Sequence, residues 1–359
     1  MARGRLLLAS VIVSACAGTT AVSLPAGLVV GEAATGDVVE VWVCHVPVGS
    51  SAPIFGGLPL RVPLDPESIV DRIGSGLTDY FATVSGGRYA LEVRAGGEVS
   101  IGVSDTHERC VDDALDDSSA TATAVLVVAD AEHAADQPGG FGDAGVPCDR
   151  PCPASTSRRW AYVGASDFAA RWGMSPPLDL VQHELGHVIG WSHSAVSPHG
   201  VYLSALDVMS NSAAPRLVDV DGRDAPAPIG IHRLRAGWLD AAQVVVARAP
   251  RTVELVPALG TSGSAAGVEL LVVPVDARTL LTVEVLTATG LWRHLPADGV
   301  AVHIVRLGVD GSPVSIDPVT ASGVAPYVDL LGEGAPLGVL GVDVTVLEVA
   351  EGVWTVRVA

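Results

Sequence analysis

The sequence predicts an α/β domain followed by an all-β sandwich. From about residue 38 to 190, apolar and β-branched runs alternate with stretches whose apolar residues recur every three to four positions. From about Val244 to the C-terminus the texture changes to short alternating runs split by Gly, Pro and Asp. Length agrees, because 359 residues exceed the roughly 250 to 300 that one hydrophobic core holds. The expected division is a leader over residues 1–34, an α/β domain over 37–245 and a β-sandwich over 248–359.

In the leader, Arg3 and Arg5 precede an uncharged stretch from Leu6 to Val30, the pattern of an export signal. Three outcomes stay open: cleavage near Ala33 and Ala34 or after Ala17, lipid attachment at Cys16 within "VSAC", or an uncleaved anchor. All three put the body outside the cytoplasm, secreted or held at the cell surface, and the last two attach it to a membrane through its N-terminus.

Beyond the leader, "DVVEVWVCHVPV" predicts a strand from about Val38 to Val48. Asp65 and Pro66 supply an N-cap and a first-turn proline for a helix carrying Ile69, Ile73, Leu77, Tyr80 and Phe81 and closing at Gly86 and Gly87. "RYALEV" and "GEVSIGV", either side of Ala95 to Gly97, predict a hairpin, and "ERCVDDAL" a short helix. "TAVLVVAD" is apolar throughout, as a strand covered on both faces requires, and "RRWAYVGA" predicts an edge strand. Ser175 can cap a helix that begins at Pro176 and Pro177 and runs about four turns, with Leu178, Val181, Leu185 and Val188 on one stripe. "VDVDGRDAPAPIG" is a loop. The runs "TVELVPAL", "VELLVVPV", "LLTVEVL", "GVAVHIV", "VDVTVLEV" and "VWTVRV" then supply the strands of the sandwich.

Net charge is −19, from 40 acidic and 21 basic residues, and every basic residue is Arg. Such a surface repels polyanions, which argues against a nucleic-acid partner. Mean hydropathy is +0.43, but it comes from Ala, Val and Leu spread along the chain, and only the N-terminus has a charge-free run long enough to span lipid. With Cys16 removed or lipidated, Cys44, Cys110, Cys148 and Cys152 remain, an even set in an oxidising compartment. Three pairings are open; a local Cys148–Cys152 loop with a longer Cys44–Cys110 link is the expected one.

The densest chemistry is "HELGHVIGWSH", residues 183–193. On a helix His183 and His187 lie one turn apart on one face, so their nitrogens can converge on one ion. Glu184, rotated by about 100° between them, is placed to act on a water at that ion. Gly190 can end the helix in the left-handed conformation and bring His193 back as a third ligand. Three imidazoles leave a tetrahedral position open, the arrangement of a catalytic zinc site. Satisfied histidines on an ordinary helix are the plain alternative, and the spacing weighs against it.

With "LDVMS" following at 206–210, this stretch resembles the metzincin zinc peptidases, and "YFATVSGGRYALEV", "IGIHRLRAGWLD" and "LLTVEVLTATGLWRHLPADGVAVHIVR" resemble segments of their gametolysin and immune-inhibitor-A-like branches. The resemblance implies a mixed sheet with an active-site helix in the first domain. It implies one catalytic Zn²⁺ on His183, His187 and His193, Glu184 as general base, Met209 as a hydrophobic floor, and hydrolysis of a protein or peptide substrate. Ser210 and Asn211 depart from the family: the tyrosine that some members carry two positions after this methionine is missing. The second oxyanion donor is thus unassigned; Tyr202 and His199 lie on the intervening loop and read first as ordinary loop residues. The short stretch before the first strand leaves little room for a pro-segment, and Cys44 reads as a disulfide half.

Asp219, Asp221 and Asp224 have carboxylate spacing that could bind Ca²⁺ but lack the terminal Glu of an EF-hand loop. His232, His294 and His303 read as satisfied or exposed histidines, and "DDALDD" as a solvated face. The competing function is a non-catalytic surface or adhesion protein whose zinc is structural. Oligomeric state is not legible.

Overall fold

The computed structural model describes residues 28, 35–49, 61–131, 139–146, 152–198, 200–219, 221–247, 250–260, 267–319, 327–334 and 336–359. The expected leader lies outside these apart from Leu28, which joins a buried cluster with Ile229, Ile231 and Leu270. Cys148 and His199 are also outside.

Strand β1 (Gly36–His45) alternates as the sequence predicts, starting and ending slightly earlier than Val38 and Val48. Helix α1 (Pro66–Val84) follows, with the Asp65 carboxylate accepting the Ser68 N–H at 2.8 Å and Pro66 in the first turn. Ile69, Ile73, Leu77 and Phe81 are fully buried under the sheet. The chain turns at Gly86 and Gly87, whose φ of +64° and +78° ask for residues without Cβ.

The hairpin expected around Ala95–Gly97 is instead one continuous strand, β2 (Ala90–Ser100), parallel to β1 along its length. The register shifts between Val41 and Val43, where β2 takes one extra residue as a bulge. Gly96 and Gly97 lie against the Trp42 indole, and a Cβ on either would come within 2.4 and 2.7 Å of ring atoms. Those glycines make room for a tryptophan; they do not make a turn.

Helix α2 (His107–Asp117) bonds to β1 through the Cys44–Cys110 disulfide, Cα–Cα 5.8 Å. β3 (Ala124–Ala129) is buried at every position. Its Leu126 and Val128 face one core with Val39, Val41 and Val43, and its Val125 and Val127 face another with Trp42, Cys44 and Cys110. After β4 (Gly140–Asp143) and a single turn, α3 (Ala154–Ser157), comes β5 (Arg159–Val163). The sheet order is β2-β1-β3-β5-β4, with β4 antiparallel and the rest parallel. Strand β5 is therefore internal, not the expected edge; "GFGD" of β4, short and without a β-branched residue, takes the edge.

Helix α4 (Asp179–Ile189) packs against β4 and β5. Two short helices, α5 (Ala214–Val218) and α6 (Gly230–Arg235), follow. The remaining strands are β6 (Val244–Val246), β7 (Arg251–Leu255), β8 (Leu270–Pro274), β9 (Thr279–Leu286), β10 (Gly299–Leu307), β11 (Pro313–Pro318), β12 (Pro336–Val339), β13 (Val342–Ala350) and β14 (Val353–Val358). They form two sheets, β11-β10-β9-β8-β6 and β12-β13-β14-β7, around a shared apolar core including Leu281, Val283, Val300, Val344 and Val356. The sequence reading had not singled out β6, β11 or β12.

The β sheets also brace the first half. The Gly230 N–H donates to both oxygens of Glu284 on β9, and the buried Arg233 guanidinium pairs with Glu269 at 2.6 Å. Trp292 and His294 reach the backbone oxygens of Leu206 and Ala205 at 2.9 and 2.8 Å, fixing the turn beneath α4.

Candidate metal centre

Helix α4 starts at Asp179, not at the expected Ser175 cap, and covers 11 residues, about three turns. The reason is long-range. The Leu178 N–H donates to Arg223 O at 2.7 Å, the Gln182 amide donates to Asp224 and accepts the Ala225 N–H, each at 2.7 Å, and Asp179 pairs with Arg216 at 2.8 Å. The loop after α5 thus holds the first turn, with Pro176 and Pro177 outside it.

At the other end Gly190 adopts φ +99°, its N–H bonding His187 O at 2.9 Å while the Trp191 N–H bonds Gly186 O at 2.9 Å. This pair of bonds reverses the chain and returns His193 to the face that carries His183 and His187. One ligand atom from each of the three lies within 4.8 Å of the other two.

Their ring nitrogens are sorted by the backbone. His183 Nδ1 is 2.7 Å from Val208 O, and His187 Nδ1 is 2.9 Å from Trp191 O. A carbonyl can only accept, so both Nδ1 atoms carry the proton and both Nε2 lone pairs are bare. Burial lowers the pKa of His183 to about 4 and that of His187 to about 3, the neighbouring imidazoles adding to the effect, and burial lowers His193 as well. The His187 and His193 Nε2 atoms stand 2.8 Å apart. Three neutral nitrogen donors converging on one point fit a divalent metal ion.

Glu184 is 4% exposed, and burial lifts its pKa well above the usual carboxylate range. Its carboxylate lies under β4, where a Cβ at Gly140 would come within 2.7 Å of Oε1; a Cβ at Gly142 would come within 2.3 Å of Glu184 O. The two glycines let the edge strand rest directly on the helix. Beside them a recess of about 250 Å³ is lined by Gly142, Asp143, His187, Trp191, Ser192 and Arg235 among others.

Met209 is fully buried beneath the histidines. A Cβ at Gly186 would come within 2.4 Å of its sulfur and 2.8 Å of the Trp191 ring, which accounts for the glycine inside "HELGH". Next to Met209, the buried Asp207 carboxylate accepts from Ser194 Oγ at 2.5 Å and from the Ile229 N–H at 3.4 Å, with His232 Nε2 at 3.1 Å. Burial alone would raise its pKa; His232, Ser194 and the Met209 N–H outweigh that and hold it below the usual value. The Ser194 N–H also donates to Met209 O at 2.9 Å. One turn, Asp207 to Met209, thus orients His183 and anchors the residue after His193. Sequence reasoning named Met209 but missed Asp207 and the carbonyl of Val208, because a bond to a residue 25 positions away leaves no local pattern.

Tyr202 departs from its reading as an ordinary loop residue: its hydroxyl lies 3.0 Å from His193 Nε2. His199 cannot be compared, being outside the described residues. The three acids whose spacing could bind Ca²⁺ do not converge. Asp219 pairs with Arg293, Asp221 with Arg223, and Asp224 accepts from Gln182; among the described residues the group able to hold a metal is the histidine one. His232, His294 and His303 are all buried, none exposed. Cys152 is disulfide-bonded, but its expected partner Cys148 lies outside the described residues.

No protein-family model and no curated protein matches the chain. Among solved structures it is similar to "Crystal Structure of metalloproteinase-II from Bacteroides fragilis", at TM-score 0.34 and 12% identity over 62% of this chain and 59% of that one. It is similar also to "Structure of a chaperone-substrate complex", at TM-score 0.29 and 15% identity over 56% of this chain and 34% of that one. The chain spans less than two thirds of the length of either.

Proposed function

We propose that this chain is an exported zinc-dependent endopeptidase of metzincin type, with residues 37–245 as the catalytic domain and 248–359 as a β-sandwich that braces it. The observation that carries the reading is the sorting of nitrogens: two backbone carbonyls hold imidazole Nδ1 protons so that bare Nε2 atoms converge beside a buried carboxylate.

His183, His187 and His193 would hold the zinc. When bound, zinc supplies Lewis acidity, lowering the pKa of water to about 7 and polarising a carbonyl. A cation held by the neutral imidazoles would favour the ionised form of Glu184 against the effect of burial. Glu184 then takes the proton of the attacking water and delivers it to the leaving amine. Met209 and Gly186 fix the floor under the ligands. Among the described residues no strand pairs with the outer edge of β4, so an extended peptide can add to it as a further strand, its backbone passing the histidines.

The Cys44–Cys110 disulfide accords with an oxidising compartment, and among the described residues no helix is long and apolar enough to cross a membrane. The test is hydrolysis of casein or gelatin by the purified protein. Activity abolished by a chelator and restored by zinc is the expected result. Zinc bound one to one while a broad peptide library stays intact would instead favour a surface or adhesion protein with structural zinc.

A further inference from the structure

Resting on the peptidase reading, we propose that Tyr202 is a catalytic residue: its phenol O–H donates a hydrogen bond to the substrate oxygen that gains negative charge when the scissile carbonyl is attacked. The hydroxyl lies 3.0 Å from His193 Nε2, and the ring centroid is 5.0 Å from that of His193 and 5.5 Å from that of His183. The group therefore points at the spot where the three imidazoles converge. With 37% of the residue exposed, a ligand can reach it.

Other donors nearby are committed or out of reach. Ser194 and Ser210 are 2% and 1% exposed, beneath the histidines. The Arg235 guanidinium spends its two terminal nitrogens on Gly190 O and Ser312 Oγ, at 3.3 and 3.2 Å, and its remaining Nε is buried away from solvent. The loop that carries Tyr202 is fastened at both ends. The Ala195 N–H donates to Ile316 O at 2.7 Å, the Leu203 N–H to Ala195 O at 3.0 Å, and the Tyr327 N–H to Leu203 O at 2.6 Å. Ala195 itself takes φ +50°, a conformation costly for a residue with a Cβ. A donor held in place before the reaction needs no reorganisation when charge develops, and that preorganisation is the source of oxyanion stabilisation.

The phenol lies within hydrogen-bond distance of His193 Nε2. Once the Nε2 lone pairs are engaged by an ion, the phenol needs another acceptor, and the oxyanion is the strongest one available. The phenol keeps its proton throughout, so no group is transferred.

The test compares wild type with Tyr202→Phe, which retains the ring and removes only the hydroxyl. Both are full-length and zinc-loaded, and their thermal melting is checked for equivalence. Expected is a kcat lower by about 10²- to 10³-fold, with zinc affinity and KM changed by no more than about threefold. Affinity for a phosphinic peptide, which mimics the tetrahedral state, should fall by a similar factor of about 10² or more, while that for a product peptide stays level. A kcat within about threefold of wild type overturns the proposal, as does a rate loss explained by weakened zinc binding; in either case the peptidase reading stands. A wild type that neither cleaves peptides nor binds the phosphinic peptide overturns both.

Discussion

Asp207 shows how much of the centre is built outside its motif. One buried carboxylate collects a serine hydroxyl, a backbone N–H and a histidine within reach of the turn that orients His183. Changing Asp207→Asn keeps the shape but removes the charge and one acceptor. It should cost about 1 to 3 kcal/mol of stability and weaken zinc binding by about 10- to 100-fold, measured by denaturant unfolding and competitive chelation. A variant that loses neither would show that the carboxylate is incidental to the centre. The convergence of His183, His187 and His193 was legible, because i, i+4 spacing on a helix and a glycine-terminated return are local features of the chain. Asp207, the Val208 carbonyl and the nearness of Tyr202 were not, because each depends on contacts that only tertiary packing creates.

Among elements, the same glycine type carried three meanings. Gly190 ends a helix through its left-handed φ, as its place after the apolar stripe suggested. Gly96 and Gly97 accommodate Trp42 inside one strand and were misread as a turn. Gly140 and Gly142 bring the edge strand onto α4, a purpose no local pattern displays. Gly142→Val therefore places side-chain atoms against the backbone of Glu184 and the Cβ of His187. It should lift β4 from the helix and cost about 1 to 3 kcal/mol of stability, along with most of the peptidase activity; an unfolding curve and a casein assay check both. Strand β1 ends at His45, whose ring pairs with Glu98 at 3.0 Å and Asp130 at 3.2 Å. The hydrogen bond that protonated His45 donates to Glu98 outweighs burial, and with Asp130 it raises the His45 pKa above 6.5. The stabilisation is thus complete below the unfolded value of about 6.5 and disappears as pH rises through the higher folded value. Relative to His45→Gln, wild-type melting temperature should lead at pH 5.5 and converge by pH 9; solvent screening keeps the difference small. A constant offset across that range would contradict the pairing.

At the scale of the whole molecule, the sequence texture separated a strand-and-helix half from a strand-only half, and both appear. Their dependence on each other was hidden, since it rests on scattered residues. Trp292, His294 and Tyr327 hold the backbone around Ser204 to Leu206, and Glu284 takes the first N–H of α6. The β sheets thus support the floor of the histidine centre, so that destabilising them should reach the site. The central claim is that this chain hydrolyses peptide bonds with Glu184 beside a three-histidine zinc ion. The most direct measurement is the peptide-cleavage rate of wild type and Glu184→Gln at equal zinc content. The account predicts one zinc per chain in both and a rate lower by about 10²- to 10⁴-fold in the variant; equal cleavage by the two proteins would contradict it.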